Sequence, residues 1–255
     1  MKITLPTGPS LVIDETTIAK EAGQFDASTS YASKLITRMG QHAYRTKKLP
    51  LKLGALSLLA ARAASEGGYK SYFEPLAGVG LSAKLFNPKG SVTLNDLDLG
   101  CQAVLKANFP QAAVWGKDAT TGFFPTADLI FLDFNNFTLK RYLSGDKYYV
   151  DMMDRAFSSA RKFVILNDCS VFYFRYGEGS YETYSRLRGL PIHTTEEYLK
   201  SLPSLYSSRY DGWELIHAAY FSESSFQLFK RGRKAELIVE KAVPLELKIG
   251  EGLLL

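Results

Sequence analysis

Tyr72 to Asp98, reading YFEPLAGVGLSAKLFNPKGSVTLNDLD, is the stretch that decides the fold of this 255-residue chain. Tyr72 and Phe73 close a strand. Gly78 and Gly80 give a tight turn in which the backbone approaches a ligand with no Cβ in the way. Leu81 to Lys84 open a helix whose free N–H groups face an anion. Ser91 to Leu94 form a second strand that ends on acids. Strand, glycine turn, helix and strand in that order make the βαβ unit of nucleotide-binding sheets. The turn reads E-P-L-A-G-V-G, so it lacks the G-x-G-x-x-G of a dinucleotide site. Glu74, an acid just before a short loop, suits a ligand that combines an amino acid with an adenosine. Asp96 follows the glycines by about twenty residues, where a carboxylate takes both hydroxyls of a ribose. Asp98 competes with it, the other reading of each acid being a helix cap.

Composition bounds the rest. Apolar residues make up 46% and charged residues 22%, as in a globular protein able to bury one substantial core. Pro6, Gly8 and Pro9 interrupt the first residues before an apolar run forms, and no stretch reaches the length of a membrane span. A cytoplasmic protein with no membrane partner is therefore expected. Cys101 and Cys169 are too few for a disulfide framework, and no metal site is expected. The net charge of +5 is uneven: residues 31–70 hold eight Lys/Arg against the single acid Glu66. Such a patch meets phosphate, or else is a solvated helix face. Lys34, Arg38, Arg45, Lys47 and Lys48 are its candidate contacts.

Periodicity orders the remaining elements. Ser10–Ile13 reads as a short strand, and residues 31–44 as a helix capped from the polar stretch Asp26–Ser30. Pro50 breaks that pattern, and a second helix runs from Leu51 to Glu66 with Leu53, Leu56, Leu59, Ala60 and Ala63 on one face. Gly67-Gly68 end it. A helix at Leu99–Asn108 and a strand at Ala113–Trp115 follow. Asp128–Leu132 is a nearly unbroken apolar run, typical of a buried parallel strand, and it delivers Asp133 to the ligand-binding edge of the sheet. A helix over Asp146–Arg161 and a strand over Phe163–Leu166 lead to Asn167 and Asp168. Residues 169–211 are aperiodic and rich in Tyr and Arg, and read as an insertion over the site, with a short helix at Thr195–Leu202. Trp213–Phe221 and Ser225–Lys230 form a terminal antiparallel pair, with a third strand at Ala235–Glu240. The expected division is an N-terminal arm with basic helices over 1–68, a core over 69–240 and a tail over 241–255.

The run F-E-P-L-A-G-V-G, with V-T-L-N-D-L-D after it, resembles the class I S-adenosylmethionine (SAM)-dependent methyltransferases. More narrowly, it is similar to the amino-methylating DNA adenine methyltransferases, whose matching stretches read like EPFAGGG and LND. The resemblance implies an α/β fold: one Rossmann-like doubly wound sheet, mostly parallel, with a C-terminal antiparallel strand pair and N-terminal helices. It implies SAM as cofactor, with Glu74, Ala77, Gly78 and Gly80 at its methionine end and Asp96 at the ribose. Asp118, in Gly116-Lys117-Asp118-Ala119 after the third core strand, matches the acid that takes the adenine amino group. Leu97 and Phe124 would enclose the ring, with Ala119 beside it.

The acceptor motif departs from that family. Amino-methyltransferases carry D/N/S-P-P-Y/F/W after the fourth strand, where this chain has Asp133-Phe134-Asn135-Asn136-Phe137. Asp133 could still accept from an amino group, and Phe137 could still stack on a base, with Asn135 and Asn136 between them. Cytosine C5 chemistry needs a Pro-Cys that is absent here. Ribose 2′-O methylation commonly uses a Lys-Asp-Lys-Glu set, of which Asp133 could be the Asp, but Asn167 stands at the end of the fifth strand where a lysine would be expected. The leading expectation is methyl transfer to an amino group of a nucleic acid base, adenine in DNA ahead of RNA. Tyr173, Arg175 and Tyr176 of the insertion would contact a flipped base and its phosphates. The alternatives are a methyltransferase for a small molecule or protein with the insertion as a lid, and a degenerate module that only binds SAM or nucleic acid.

Overall fold

The computed structural model describes residues 2–6, 10–12, 49–134, 137–171, 181–222, 224–232 and 235–250. The helix expected over 31–44, with Lys34, Arg38, Arg45, Lys47 and Lys48, lies outside them. So do Asn135, Asn136, Tyr173, Arg175 and Tyr176.

The strands of the main sheet are β3 (Tyr72–Glu74), β4 (Val92–Asn95), β5 (Ala113–Trp115), β6 (Ala127–Leu132), β7 (Ala160–Asp168), β8 (Trp213–Phe221), β9 (Ser224–Arg231) and β10 (Ile238–Lys241). They lie in the order β10-β8-β9-β7-β6-β3-β4-β5. Every neighbouring pair is parallel except those that involve β9, which runs antiparallel to both β7 and β8. The expected hairpin is thus present, but only one strand is reversed. The third terminal strand, β10, is parallel to β8 (Val239 opposite Ala218).

The alternation of side chains along a strand divides the interior into two cores. On β6, Leu129 and Phe131 face one way, and Ile130 and Leu132 the other; on β7, Phe163 and Ile165 oppose Val164 and Leu166. All eight are fully buried, as in a sheet covered on both faces. The first face carries α1 (Leu49–Ser65), α2 (Leu81–Phe86) and α3 (Leu99–Asn108). The second carries α4 (Leu139–Leu143), α5 (Lys147–Ser159), α6 (Tyr181–Arg188) and α7 (Thr195–Ser207).

Several boundaries differ from the sequence reading. Pro50 belongs to the first turn of α1 and does not precede the helix. A proline is tolerated there because the N–H it lacks has no intrahelical acceptor. Strand β7 begins at Ala160, so the preceding helix stops at Ser159, two residues short of expectation. The insertion is more regular than its composition suggests. It contributes α6 and α7, and its Tyr184, Tyr198, Tyr206 and Tyr210 are buried in the second core. Tyr210 stacks on Phe157 with ring centroids 3.9 Å apart. These tyrosines supply large apolar area; the hydroxyls of Tyr184, Tyr198 and Tyr210 hydrogen-bond to Ser170, Asp168 and Asp154, while that of Tyr206 has no such partner among the described residues, and none of the four forms an exposed stacking surface.

A small sheet of β11 (Lys248–Gly250), β1 (Lys2–Thr4) and β2 (Ser10–Val12) joins the two ends of the chain, in the order β11-β1-β2. Between β10 and β11 the chain crosses the start of α1. Leu245 donates to the Pro50 carbonyl at 2.9 Å, and a Cβ on Gly54 would lie 1.9 Å from the Val243 carbonyl oxygen. Only glycine permits that approach.

Candidate functional site

The sheet reverses its direction of growth at β3, with β4 on one side and β6 on the other. Crevices at such a reversal, beyond the carboxyl ends of the strands, are where α/β sheets bind ligands. A cavity of ≈ 330 Å³ lies there. The loop after β3 supplies Pro75 to Val79, and α2 supplies Leu81 and Ser82. Asn95, Asp96 and Leu97 come from the end of β4, and Lys117 to Thr120 from beyond β5. Asp133 follows β6, α1 adds Leu49, Lys52, Leu53 and Leu56, and α5 adds Tyr148.

The glycine turn has the predicted form. Gly78 and Gly80 take φ of 53° and 82°, in the left-handed region that side chains disfavour. A Cβ on Gly80 would also meet the Phe109 ring at 2.5 Å. The Gly78 N–H donates to Asp96 Oδ2 at 2.8 Å, and the Asp98 N–H donates to Asp96 Oδ1 at 2.9 Å. Burial pushes the Asp96 carboxyl up, and those two N–H groups oppose the shift. The two competing acids have separate places. Asp96 lines the cavity, while Asp98 caps α3, accepting from the Cys101 N–H at 2.8 Å.

Asn95 is a determinant that sequence reasoning missed, although it stands inside the quoted L-N-D. Its amide nitrogen donates to the carbonyls of Pro75 and Lys117, both at 2.9 Å, and its oxygen accepts from the Lys117 N–H at 2.9 Å. One buried side chain thereby fixes the loops beyond β3 and β5 to the end of β4.

Glu74 does not line the cavity. It is buried beneath the turn, where Tyr72 and Ser82 donate to it at 2.7 and 2.5 Å. Burial raises its pKa to about 8, the two hydroxyls pulling the other way. It reaches the cavity only through Ser82. Phe124 is also displaced from its expected place. It is buried edge-on against Phe73 at 5.1 Å and borders a much smaller depression next to the main cavity. Leu97, by contrast, is 62% exposed and does line the main cavity. Asp118 is exposed at the same end. Its Oδ1 accepts from the Thr120 hydroxyl and N–H, at 2.7 and 2.8 Å, which holds its pKa low.

At the β6 end, Asp133 is engaged from two sides. Lys52 Nζ lies 2.6 Å from Oδ2, and Asn167 Nδ2 donates to Oδ1 at 3.0 Å. Asn167 also donates to the Phe134 carbonyl at 3.0 Å and accepts from the Ser224 hydroxyl. Lys52 was legible only as one cation of the basic run. Its place within the apolar sequence of α1 is the signal that a polar group there faces something polar. Phe137 is not available to stack on a ligand: it is fully buried, stacked on Phe134 at 5.4 Å and edge-on to Tyr149 at 5.2 Å. Tyr148, missed by sequence reasoning, is the aromatic side chain that lines the cavity among the described residues, and it is 38% exposed.

No family model matches the chain, and no curated protein matches it. Solved structures do. The plantazolicin methyltransferase BpumL, with SAH and a triazolic desmethylPZN analog, superposes with a TM-score of 0.51 at 9% identity, covering 86% of this chain and 97% of that one. The same enzyme with SAH alone gives 0.50 at 11% identity, over 86% and 96%. A magnesium protoporphyrin IX methyltransferase from Synechocystis, with bound SAH, is a looser likeness: TM-score 0.44, 12% identity, 85% and 93% covered. The fold is that of the class I, Rossmann-like methyltransferases.

Among the described residues no helix is long and apolar enough to cross a membrane, and no group of three or more His, Cys, Asp or Glu is placed to hold a metal ion.

Proposed function

We propose that this chain is a SAM-dependent methyltransferase acting on a nucleic acid. The observation that carries the reading is the cavity over the β3–β4–β5 edge, in which Gly78, Asp96, Leu97 and Asp118 meet. These residues suit SAM. Asp96, its two oxygens directed by backbone N–H groups, holds the ribose hydroxyls, and Asp118 meets the adenine amino group. Leu97 and Ala119 cover the ring, while Ala77, Gly78 and Ser82 lie along the methionine portion, with Glu74 fixing Ser82 from below. Gly80 acts by shaping the turn. SAM supplies a methyl group on a positively charged sulfur. The chain's own contribution is to bring an acceptor into line with it, which is worth many orders of magnitude in rate for a displacement.

SAH, which the structures of BpumL hold, is what SAM becomes after transfer, and this supports SAM as the methyl donor. The net charge of +5 and the basic run over 31–70 support a polyanionic acceptor. The amino group of adenine in DNA, suggested by the sequence, finds less support: Phe137, the aromatic expected to stack on the base, is in the core. Titration calorimetry with SAH tests the donor half of the proposal. Binding that is lost in Asp96→Ala but kept in Asp98→Ala supports it, and no binding to the unmodified chain refutes it.

A further inference from the structure

We infer that the acceptor is a hydroxyl, the ribose 2′-OH of RNA, held against the Lys52–Asp133 pair. The inference rests on reading the cavity as a SAM site, and adds what stands at its other end.

Donors and acceptors can be counted there. An exocyclic amino group conjugated to a base offers two N–H donors and requires two acceptors. The Lys52–Asp133 pair instead combines a cation that only donates with a carboxylate that only accepts, 2.6 Å apart. A hydroxyl matches that pair, because it both donates one hydrogen bond and accepts others. Charge points the same way. Methyl transfer moves positive charge from sulfur onto the acceptor. A nitrogen acceptor would carry that charge beside the Lys52 ammonium until a proton left, whereas an oxygen gives up its proton at once. Asp133 is held from several elements, by Lys52 of α1 and by Asn167 of β7, which Ser224 of β9 fixes in turn. Such a pre-set carboxylate is suited to receiving a proton.

Space and overall charge specify the carrier of the hydroxyl. A cavity of ≈ 330 Å³ is at the small end for a single ligand of ordinary size, so SAM fills it and the acceptor reaches it from outside as part of a larger molecule. Tyr148 lines that cavity and remains 38% exposed, and it can pack against a base beside the target ribose. The basic run over 31–70, of which Lys52 is a member, fits a phosphate backbone. Among nucleic acids, RNA has a hydroxyl on every ribose and DNA has none there.

In the step itself, the hydroxyl oxygen forms a bond to the methyl carbon as the bond from that carbon to sulfur breaks, and its electron pair returns to sulfur. The sulfonium becomes a neutral thioether. The hydroxyl proton, strongly acidic once the oxygen has three bonds, passes to the Asp133 carboxylate and then to water. The products are the methyl ether, SAH and one proton.

The test uses the full chain, tritium-labelled SAM and three random-sequence oligonucleotide pools: RNA, the same RNA with every ribose 2′-O-methylated, and DNA. The expected result is label in the unmodified RNA alone, recovered after nuclease digestion as 2′-O-methylnucleoside. Asp133→Asn, which removes the proton acceptor, should lower that rate by about a hundredfold or more, the scale of a lost general base, while SAH binding by calorimetry stays within about tenfold. Lys52→Arg, which preserves the ion pair, should retain part of the rate. Label in the DNA or in the 2′-O-methylated RNA would put the methyl group on a base and overturn the inference. SAH binding with no label in RNA would overturn it too and leave the SAM site standing, whereas failure to bind SAH would remove both.

Discussion

Glu74 gives the most quantitative prediction. The side chain is fully buried, and burial raises its pKa to about 8 from the usual 4.5, despite hydrogen bonds from Tyr72 and Ser82 that favour the anion. In the unfolded chain the group ionises at its ordinary value. Between those two pKa values the folded state therefore holds a proton that the unfolded state has released, and stability falls as pH rises. The contribution of Glu74 is fully present below the unfolded pKa and is lost as pH climbs through the folded one. With about 1.36 kcal/mol per unit of pKa difference, the slope predicts a loss of about 2 kcal/mol between about pH 6 and about pH 8, the curve flattening near the upper end. Glu74→Gln keeps the size and a hydrogen-bonding oxygen, and removes the titration. Urea unfolding of both proteins across that range isolates the effect, because every other titrating group is common to the two. The stability difference, variant minus unmodified chain, should rise by about 2 kcal/mol from about pH 6 to about pH 8. A difference that stays flat, or falls, would show that Glu74 is already ionised in the folded protein and would refute the reasoning.

Three further outcomes follow from the same geometry. Gly80→Ala places a Cβ 2.5 Å from the Phe109 ring in a backbone conformation with φ of 82°, and should cost about 1–3 kcal/mol in urea unfolding and weaken SAH binding together. Asp98→Ala removes the cap of α3 and should cost about 1 kcal/mol with SAH affinity little changed, whereas Asp96→Ala should abolish SAH binding in calorimetry. Phe137→Ala should cost about 3–5 kcal/mol in thermal or urea unfolding, as for a core aromatic; a loss of activity with unchanged stability would instead place Phe137 at the acceptor.

The glycine turn and its contact with Asp96 were legible because they are local. Gly78, Gly80 and Asp96 lie within one βαβ unit, where chain connectivity and left-handed φ values leave little choice of partner. Strand β6 was legible for a related reason: its six consecutive buried residues leave an apolar run broken only by Asp128. The surroundings of Asp133 depend on contacts between residues far apart in sequence. Lys52 and Asp133 are 81 positions apart, and Asn167 is fixed by Ser224 57 positions away. No periodicity records such a meeting. Composition also misled where one residue type serves two purposes. The tyrosines of the insertion suggested stacking on bases, but Tyr184, Tyr198 and Tyr206 are buried in the second core. Phe124 and Phe137 were similarly drawn into the interior by neighbouring aromatics, leaving Leu97 and Tyr148 at the cavity.

The central claim is that the cavity beyond β3, β4 and β5 binds SAM, and calorimetric titration of the full chain with SAH tests it most directly. The claim predicts one site per chain with affinity in the micromolar range, lost in Asp96→Ala and retained in Asp98→Ala. No binding at millimolar SAH, or binding that Asp96→Ala leaves unchanged, would contradict it.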